Sequence, residues 1–224
     1  MQTNILKDKN IFHSGGSFLE YVEKYSDAGI TAGKAEKILV QFSFSLVFVI
    51  LMWISANSFV YLPFTPIPVT MQVFTVLFCA ITLGKTWALL SQLEYLLLGL
   101  AGFPLFAGFK NGAAVLLGPT GGYIIGFAAA GFVTGFVYKK LSAKIGGSGF
   151  DVFIACLCGL TVIYVTGYIH LTGFLYLNSS MPGVSRLLLN TFKAGVLPFI
   201  IFDLIKIMAI VSIHKTSGRN RQAI

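Results

Sequence analysis

The chain has 224 residues, of which 56% are apolar and only 11% are charged, and its formal net charge is +8. A soluble globular domain carries about 25% charged residues, so this composition excludes an ordinary soluble protein and is typical of an integral membrane protein. The basic residues lie between the apolar segments, which argues against nucleic-acid binding and favours a signal for membrane orientation.

Both ends of the chain are polar and are predicted to lie in the cytoplasm. Residues 1–37 mix lysines with acidic residues and contain neither a short apolar core nor a small-residue cleavage site, so a polar tail is expected rather than a signal peptide. Residues 215–224 form a short basic tail. The membrane domain is therefore predicted to cover residues 38–214.

Apolar segments long enough to cross a bilayer follow one another between the two tails. Each spanning helix needs about 20 mostly apolar residues, and breaks are indicated where prolines, glycines or lysines cluster. The prolines at 63, 66 and 68, for example, divide an uncharged segment that runs from residue 38 to residue 84. The six predicted helices cover residues 38–62, 69–84, 86–101, 119–138, 152–177 and 194–214.

The distribution of Lys and Arg predicts which loops face the cytoplasm. Twelve of these residues lie in the two tails, in the loop between the second and third helices, and in the loop between the fourth and fifth. Only Lys110 and Arg186 lie in the opposite loops. This bias indicates an even number of spans with both termini in the cytoplasm, and it places the Pro- and Gly-rich loops on the outer face.

Charged side chains inside the predicted spans cost free energy and need a partner or a function. Glu94 lies in the third helix, whereas Asp203 and Lys206 are three residues apart and share one face of the sixth. The Asp203 and Lys206 side chains can form a self-neutralising pair, but a ligand site is the favoured interpretation. Glu94 and Lys206 both lie roughly 13 Å from the predicted cytoplasmic edge. We therefore expect these two to pair and to leave Asp203 free for a ligand.

The loop between the third and fourth helices has a composition suited to ligand binding. Residues 106–123 contain five glycines, which let the backbone approach a ligand closely. Phe106, Phe109 and Tyr123 can sandwich a small ring, and Asn111 offers both a hydrogen-bond donor and an acceptor. A packed re-entrant cap is the structural alternative. The Gly-Pro-Thr-Gly-Gly stretch lacks the Lys-Ser/Thr of a phosphate loop, which argues against a nucleotide site.

The remaining patterns favour packing over chemistry. Glycines at 118, 122 and 126 indicate close helix packing inside the protein, with docking of a partner subunit as the alternative. His170 is expected to be a hydrogen-bonded core residue. The three cysteines lie in apolar runs and are expected to be small buried side chains. The sequence contains no catalytic motif or metal-binding spacing, so no metal, cofactor or catalytic residue is predicted.

Four segments with specific loop sequences occur in order along the predicted membrane domain. They read PFTPIPVTMQ at residues 63–72, SQLEYLLLGLAGFPLFA at 91–107, LGPTGGYIIGF at 117–127 and GVLPFIIFDLIK at 195–206. Together they resemble the BioY family, whose members are biotin-specific substrate-binding components of energy-coupling-factor transporters. The resemblance implies an all-α protein with six transmembrane helices in the inner (cytoplasmic) membrane. It also implies partner transmembrane and ATPase subunits.

The resemblance places a biotin site near the outer face, beneath the first and third loops. The residues that it implies there are Phe106, Lys110, Asn111, Tyr123, Asp203 and Lys206. The aspartate and the asparagine would hydrogen-bond the ureido ring, and either lysine would meet the valerate carboxylate. The two aromatic residues would pack on the bicyclic ring.

Three functions remain open at this stage. The first is a biotin-binding subunit that needs an ATPase module, and the second is the same fold acting alone or on another small vitamin. The third is an integral-membrane enzyme, which is the least favoured because no reactive group has an evident activating neighbour. Uptake with and without the ATPase module separates the first two, and turnover rather than stoichiometric binding would identify an enzyme.

Overall fold

The structure, a computed structural model, describes residues 34–145, 149–178 and 183–222. Residues 1–33 of the predicted N-terminal tail and the last two residues of the C-terminal tail lie outside the described residues. The described elements are seven helices and two short strands. In chain order they are α1 (Lys34–Asn57), β1 (Phe59–Val60), β2 (Val69–Thr70), α2 (Gln72–Leu100), α3 (Ala113–Leu117), α4 (Gly121–Ile145), α5 (Gly149–Asn178), α6 (Val184–Gly195) and α7 (Ile200–Gln222).

Helix α2 is a helical hairpin rather than one straight helix. Gly84, at φ 76°, interrupts its helical backbone, and glycine adopts this conformation because it has no Cβ to clash. Gln72 Nε2 donates to the Tyr95 hydroxyl at 3.1 Å across a separation of 23 residues, whereas a straight helix would hold the two about 35 Å apart. The arms 72–83 and 85–100 are therefore antiparallel, which confirms the predicted second and third helices.

The chain is a polytopic, all-α membrane protein. Four helices of the described residues are long and apolar enough to cross a membrane: Ile38–Asn57, Gln72–Leu100, Gly121–Ile145 and Gly149–Asn178. A fifth is formed when α6 and α7, which are bent by 41° relative to each other, are taken together. These five candidates differ from the six predicted spans because α2, which is counted once here, corresponds to the second and third predicted helices. Six spans and the cytoplasmic location of both termini stay predictions.

Several predicted helix boundaries are wrong. Helix α1 ends at Asn57 rather than at residue 62, because the apolar residues that follow pair as β1 with β2 in a two-stranded antiparallel sheet. Helix α7 begins at Ile200 because Pro198 lies in a turn over residues 196–199, and it continues through the predicted basic tail to Gln222. Helix α6 is not predicted from the sequence, apart from its last two residues, which fall within the predicted sixth helix.

The glycine-rich faces of α4 are packed inside the protein. A Cβ atom at Gly122 or Gly126 would collide with side chains of α5, which crosses α4 at these points. On another side of the helix, a Cβ at Gly135 would overlap the backbone of Lys85 in the turn of the α2 hairpin. Helix α4 therefore packs closely between α2 and α5, and the interpretation as internal packing is confirmed.

Two of the loops that the sequence assigns to the outer face, the one between α1 and α2 and the one between α2 and α4, lie at one end of the bundle. In the loop between α2 and α4, the Phe109 N–H donates to Asn57 Oδ1 at the end of α1, at 2.9 Å. In the loop between α1 and α2, Thr65 Oγ1 donates to the carbonyl of Ala194 in α6, at 2.6 Å. Both loops are thus tied to helices on either side of the space beneath them.

The packing of α4 against the hairpin turn predicts the effect of one methyl group. Gly135→Ala is expected to lower the free energy of unfolding by about 1–3 kcal/mol, because the Lys85 backbone cannot swing aside. Gly173→Ala in α5 is the matched control, since no atom lies within 4 Å of a Cβ there. Thermal unfolding of both variants in the same detergent makes the comparison. Equal midpoints for the two variants would contradict the packing.

Candidate functional site

A cavity of about 550 Å³ lies beneath the two loops. Its walls come from both loops and from the facing sides of α4, α5 and α7. The volume is within the range of about 300–1,000 Å³ that is typical of small-molecule sites. Of the residues that the sequence predicts for the site, those that line this cavity are Lys110, Asn111, Tyr123, Asp203 and Lys206.

An ion pair lies in the cavity wall at the start of α7. Lys206 Nζ is 2.6 Å from Asp203 Oδ1 and also donates to the carbonyl oxygen of Thr70 at 2.7 Å. Tyr164 of α5 donates its hydroxyl hydrogen to Asp203 Oδ2 at 2.7 Å. The Asp203 side chain is 3% exposed and that of Lys206 is 9% exposed. The two charges are therefore removed from solvent and offset each other.

The ion pair presents a neutral but polar surface to the cavity. Lys206 uses two of its three N–H groups in the bonds described, and one N–H remains available. A carboxylate has about four lone-pair sites, so Asp203 can accept further hydrogen bonds after those from Lys206 and Tyr164. A ligand that carries N–H donors beside a carbonyl acceptor can therefore bind here without bringing a charge of its own.

The predicted pairing of Glu94 with Lys206 is wrong. Glu94 accepts from the hydroxyl of Ser45 in α1, whose Oγ lies 2.9 Å from both Oε1 and Oε2. Equal depth does not bring two side chains together, because each must also leave its helix in the right direction. Glu94 faces α1, whereas Lys206 faces the cavity and pairs with Asp203. Asp203 is thus neutralised by Lys206 and still lines the cavity.

Lys110 closes a tight turn over residues 107–109 of the loop between α2 and α4, and Asn111 follows it. The backbones of Lys110 and Phe106 exchange two hydrogen bonds, at 3.0 and 3.2 Å, in an isolated antiparallel bridge. Lys110 is exposed at the cavity edge. Among the described residues, no carboxylate lies within 4.0 Å of its ammonium group. The edge of the cavity therefore carries a positive charge that the described part of the chain does not offset.

Two of the three aromatic residues predicted for the site do not line the cavity. Phe106 is fully buried and packs edge-on against Tyr95, with ring centroids 5.6 Å apart. Its predicted contact with a ligand ring is wrong, because the turn at Lys110 directs the side chain into the core beside α2. Phe109 is exposed and packs against Trp53, with centroids 6.3 Å apart.

Two cavity residues are missed by reasoning from the sequence. Tyr164 lies in an apolar helix, 39 residues from Asp203, and its one signal is a phenolic hydroxyl that needs a partner when buried. Gln72 ends the first of the segments that resemble the BioY family, and it lines the cavity as well. Tyr123, which is predicted, lines the cavity and donates its hydroxyl hydrogen to the carbonyl of Gly195 at 2.7 Å.

A chain of hydrogen bonds connects the two loops beside the cavity. Thr70 Oγ1 donates to Gln72 Oε1 at 3.1 Å, and Gln72 Nε2 donates to the Tyr95 hydroxyl at 3.1 Å. Tyr95 in turn donates to the carbonyl of Leu105 at 3.1 Å. Since Lys206 donates to the carbonyl of Thr70, this chain links the ion pair to both loops.

Most of the residues expected to be structural have structural contacts. His170 Nε2 donates to the carbonyl oxygen of Gly118 at 2.9 Å, so the predicted hydrogen bonding is confirmed, but the residue is half-buried and does not lie in the core. Cys79 and Cys156 are buried as predicted, whereas Cys158 is half-buried. Within residues 34–145, 149–178 and 183–222, no group of three or more His, Cys, Asp and Glu residues is placed to hold a metal ion.

Comparisons with known proteins agree on one family. The model of the BioY family matches residues 31–222. The chain is 37% identical to the biotin transporter BioY of Thermotoga maritima, over 74% of this chain and 85% of that protein. It is 40% identical to a probable biotin transporter BioY of Pyrococcus horikoshii, over 63% and 74% of the two chains. A crystal structure of the S-component for biotin from an ECF-type ABC transporter matches with a TM-score of 0.71 at 26% identity, covering 84% of this chain and 95% of that chain.

The ion pair makes a prediction about stability. Asp203→Asn is expected to lower the free energy of unfolding by about 3–5 kcal/mol, because the Lys206 ammonium stays buried without its counter-charge. Adding Lys206→Met should recover part of this loss, since neutral side chains often replace a buried pair without penalty. Unfolding midpoints of the single and double variants in one detergent test both effects. A double variant no more stable than Asp203→Asn alone would show that the two charges do not depend on each other.

Proposed function

Because the chain belongs to the BioY family, we propose that it is the biotin-binding subunit of an energy-coupling-factor transporter in the cytoplasmic membrane. The observation that carries this proposal is the cavity with the Asp203–Lys206 pair in its wall and Lys110 at its edge. Biotin has a neutral ureido head, an apolar middle and a carboxylate tail. Each of these parts has a complementary region in the cavity.

The ureido head is proposed to bind at the ion pair. Its N–H groups donate to the remaining lone pairs of Asp203, and its carbonyl accepts from the third N–H of Lys206. A charged head would be disfavoured, because a net charge in a buried, already neutral site has no counter-charge to offset its desolvation. Asn111 lines the same cavity, and its amide can complete the hydrogen bonds of the ring.

The carboxylate tail is proposed to bind at Lys110. Of the two lysines that line the cavity, Lys206 already donates to Asp203 and Thr70, whereas Lys110 has no carboxylate within 4.0 Å among the described residues. The charges of Asp203, Lys206 and Lys110 leave one net positive charge, which complements a monoanion. Because Lys110 is exposed, this contact is expected to contribute modestly, by about 1 kcal/mol or less.

The middle of the ligand is proposed to pack on apolar walls. Side chains from both loops, from α4 and α5 and from the turn that precedes α7 provide them: Ile67, Val115, Ile124, Phe127, Ile163 and Phe199. Burial of apolar surface contributes about 25 cal/mol per Å², so this region supplies affinity while the polar ends set the orientation. Tyr123 adds an aromatic ring to the same walls.

We further propose that the protein is a carrier and not an enzyme. Asp203 is held by Lys206 and Tyr164, so it is not a free general base. Uphill uptake then needs energy from elsewhere, which is the role proposed for the coupling transmembrane and ATPase subunits. The excess of Lys and Arg at the opposite end supports an orientation in which the cavity faces outward.

The proposed contact between Asp203 and the ureido ring predicts the effect of an isosteric substitution on biotin binding. Asp203→Asn is expected to weaken biotin binding about 100-fold, because truncating one member of a buried charge pair typically costs 2–5 kcal/mol of binding free energy. Tyr164→Phe, which removes one hydrogen bond to the same carboxylate and keeps the ring, is expected to weaken it about tenfold. Calorimetric titration of the detergent-purified protein with biotin measures both.

The control for this titration is Glu94→Gln, which neutralises another acid of the membrane domain away from the cavity. Its affinity for biotin is expected to equal that of the unaltered protein. Wild-type affinity in Asp203→Asn, or no saturable binding of biotin by the unaltered protein, would contradict the proposed function.

The proposed contact between Lys110 and the carboxylate predicts that the effect of a Lys110 substitution on affinity depends on the charge of the ligand. Lys110→Gln is expected to weaken the binding of biotin about fivefold and to leave the binding of biotinamide, which lacks the carboxylate, unchanged. Lys139→Gln, with the same loss of charge at the other end of the bundle, should affect neither ligand. An equal loss for biotin and biotinamide in Lys110→Gln would assign this lysine a role other than binding the carboxylate.

A further inference from the structure

Helix α6 packs against the protein by one face only. Leu187, Thr191 and Gly195 recur every four residues, so they share one side of the helix, and all three are buried. The contacts of this face are mainly with α5. Tyr168 of α5 also donates to the carbonyl of Leu188 at 3.2 Å. The other sides of α6 are not covered by the described residues.

Those other sides carry two stripes of different character. Leu188, Leu189 and Phe192 form an apolar stripe, with exposed fractions of 40, 53 and 42%. Arg186 and Lys193, seven residues and about two turns apart, form an exposed basic strip beside it. No carboxylate of the described residues lies within 4.0 Å of either cation. An apolar stripe flanked by basic residues is typical of a helix at a membrane–water interface.

Hydrogen bonds at the C-terminal end of α6 place the helix, and with it the basic strip, at the cavity end of the bundle. The carbonyl of Ala194 accepts from Thr65, and the carbonyl of Gly195 accepts from Tyr123, at 2.6 and 2.7 Å. Both donors belong to the end of the bundle that carries the cavity. Unpaired basic side chains are costly within hydrocarbon, so the strip belongs at the boundary between hydrocarbon and water.

We propose that α6 is a docking surface for anionic phospholipids in the leaflet on the cavity side. Arg186 binds the headgroup phosphate through its planar fork, Lys193 adds a second positive charge, and the apolar stripe contacts the acyl chains. A zwitterionic headgroup carries its own ammonium group, which offsets its phosphate. Two cations without a partner among the described residues therefore favour lipids with a net negative charge.

A fluorescent probe on the apolar stripe tests this proposal directly. Phe192→Trp places an indole beside the strip, and the signal of Trp53 and Trp87 is subtracted with the unaltered protein. The protein is placed in phosphatidylcholine nanodiscs that contain a minor fraction of phosphatidylglycerol. In one sample the acyl chains of phosphatidylglycerol are brominated, and in the other those of phosphatidylcholine. Brominated phosphatidylglycerol is expected to quench the added indole about fivefold more per mole than brominated phosphatidylcholine, and high salt should reduce the difference.

Matched variants separate the proposed contact from general charge effects. Arg186→Gln with Lys193→Gln should abolish the preference for phosphatidylglycerol, whereas Lys139→Gln with Lys140→Gln, at the other end of the bundle, should preserve it. Leu189→Trp is a second probe position on the same stripe if Phe192→Trp does not fold. Equal quenching by the two lipids, or a preference that survives the loss of both basic residues, overturns the proposal. The assay contains no biotin, so its outcome is independent of the proposed function.

Discussion

The site depends on one buried ion pair that must stay satisfied inside a membrane domain. A lone charge at the position of Asp203 or Lys206 would be costly, but each side chain has a partner and further hydrogen bonds. Because Lys206 donates to the backbone of Thr70 and Asp203 accepts from Tyr164, the pair fixes α7 relative to the loop between α1 and α2 and relative to α5. The cavity is the space that these fixed elements enclose.

The helices supply the frame of the site, and the two loops supply much of its chemistry. Helix α4 packs closely against the α2 hairpin turn at Gly135, away from the cavity, and the cavity lies at the end of the bundle where the two loops meet. The hydrogen-bonded chain through Gln72 and Tyr95 joins these loops to each other and, through Thr70, to the ion pair. In the proposed function, biotin therefore binds to an ion pair whose hydrogen bonds also hold both loops in place.

The sequence predicts the long apolar helices and the ion-pair residues because the bilayer imposes strong constraints. A spanning backbone must satisfy its hydrogen bonds internally, and a charge in a span needs a reason, which singles out Asp203. Directions of side chains are not encoded in linear spacing. Glu94 matches Lys206 in depth but faces α1, and Phe106 is turned into the core by the bridge beside it. Tyr164 is missed because its contact joins two helices far apart in sequence, with no local pattern to mark it.

Recognition of the ureido group by Asp203 is the central claim, and a distance in the membrane tests it most directly. Biotin labelled with ¹⁵N in the ureido ring, bound to protein labelled with ¹³C in the aspartate carboxyl groups, allows solid-state NMR to detect their dipolar coupling in lipid bilayers. The expected result is strong dephasing of one aspartate signal that is absent from Asp203→Asn. At saturating biotin, a lack of dephasing, or dephasing of a signal that persists in Asp203→Asn, would contradict the claim.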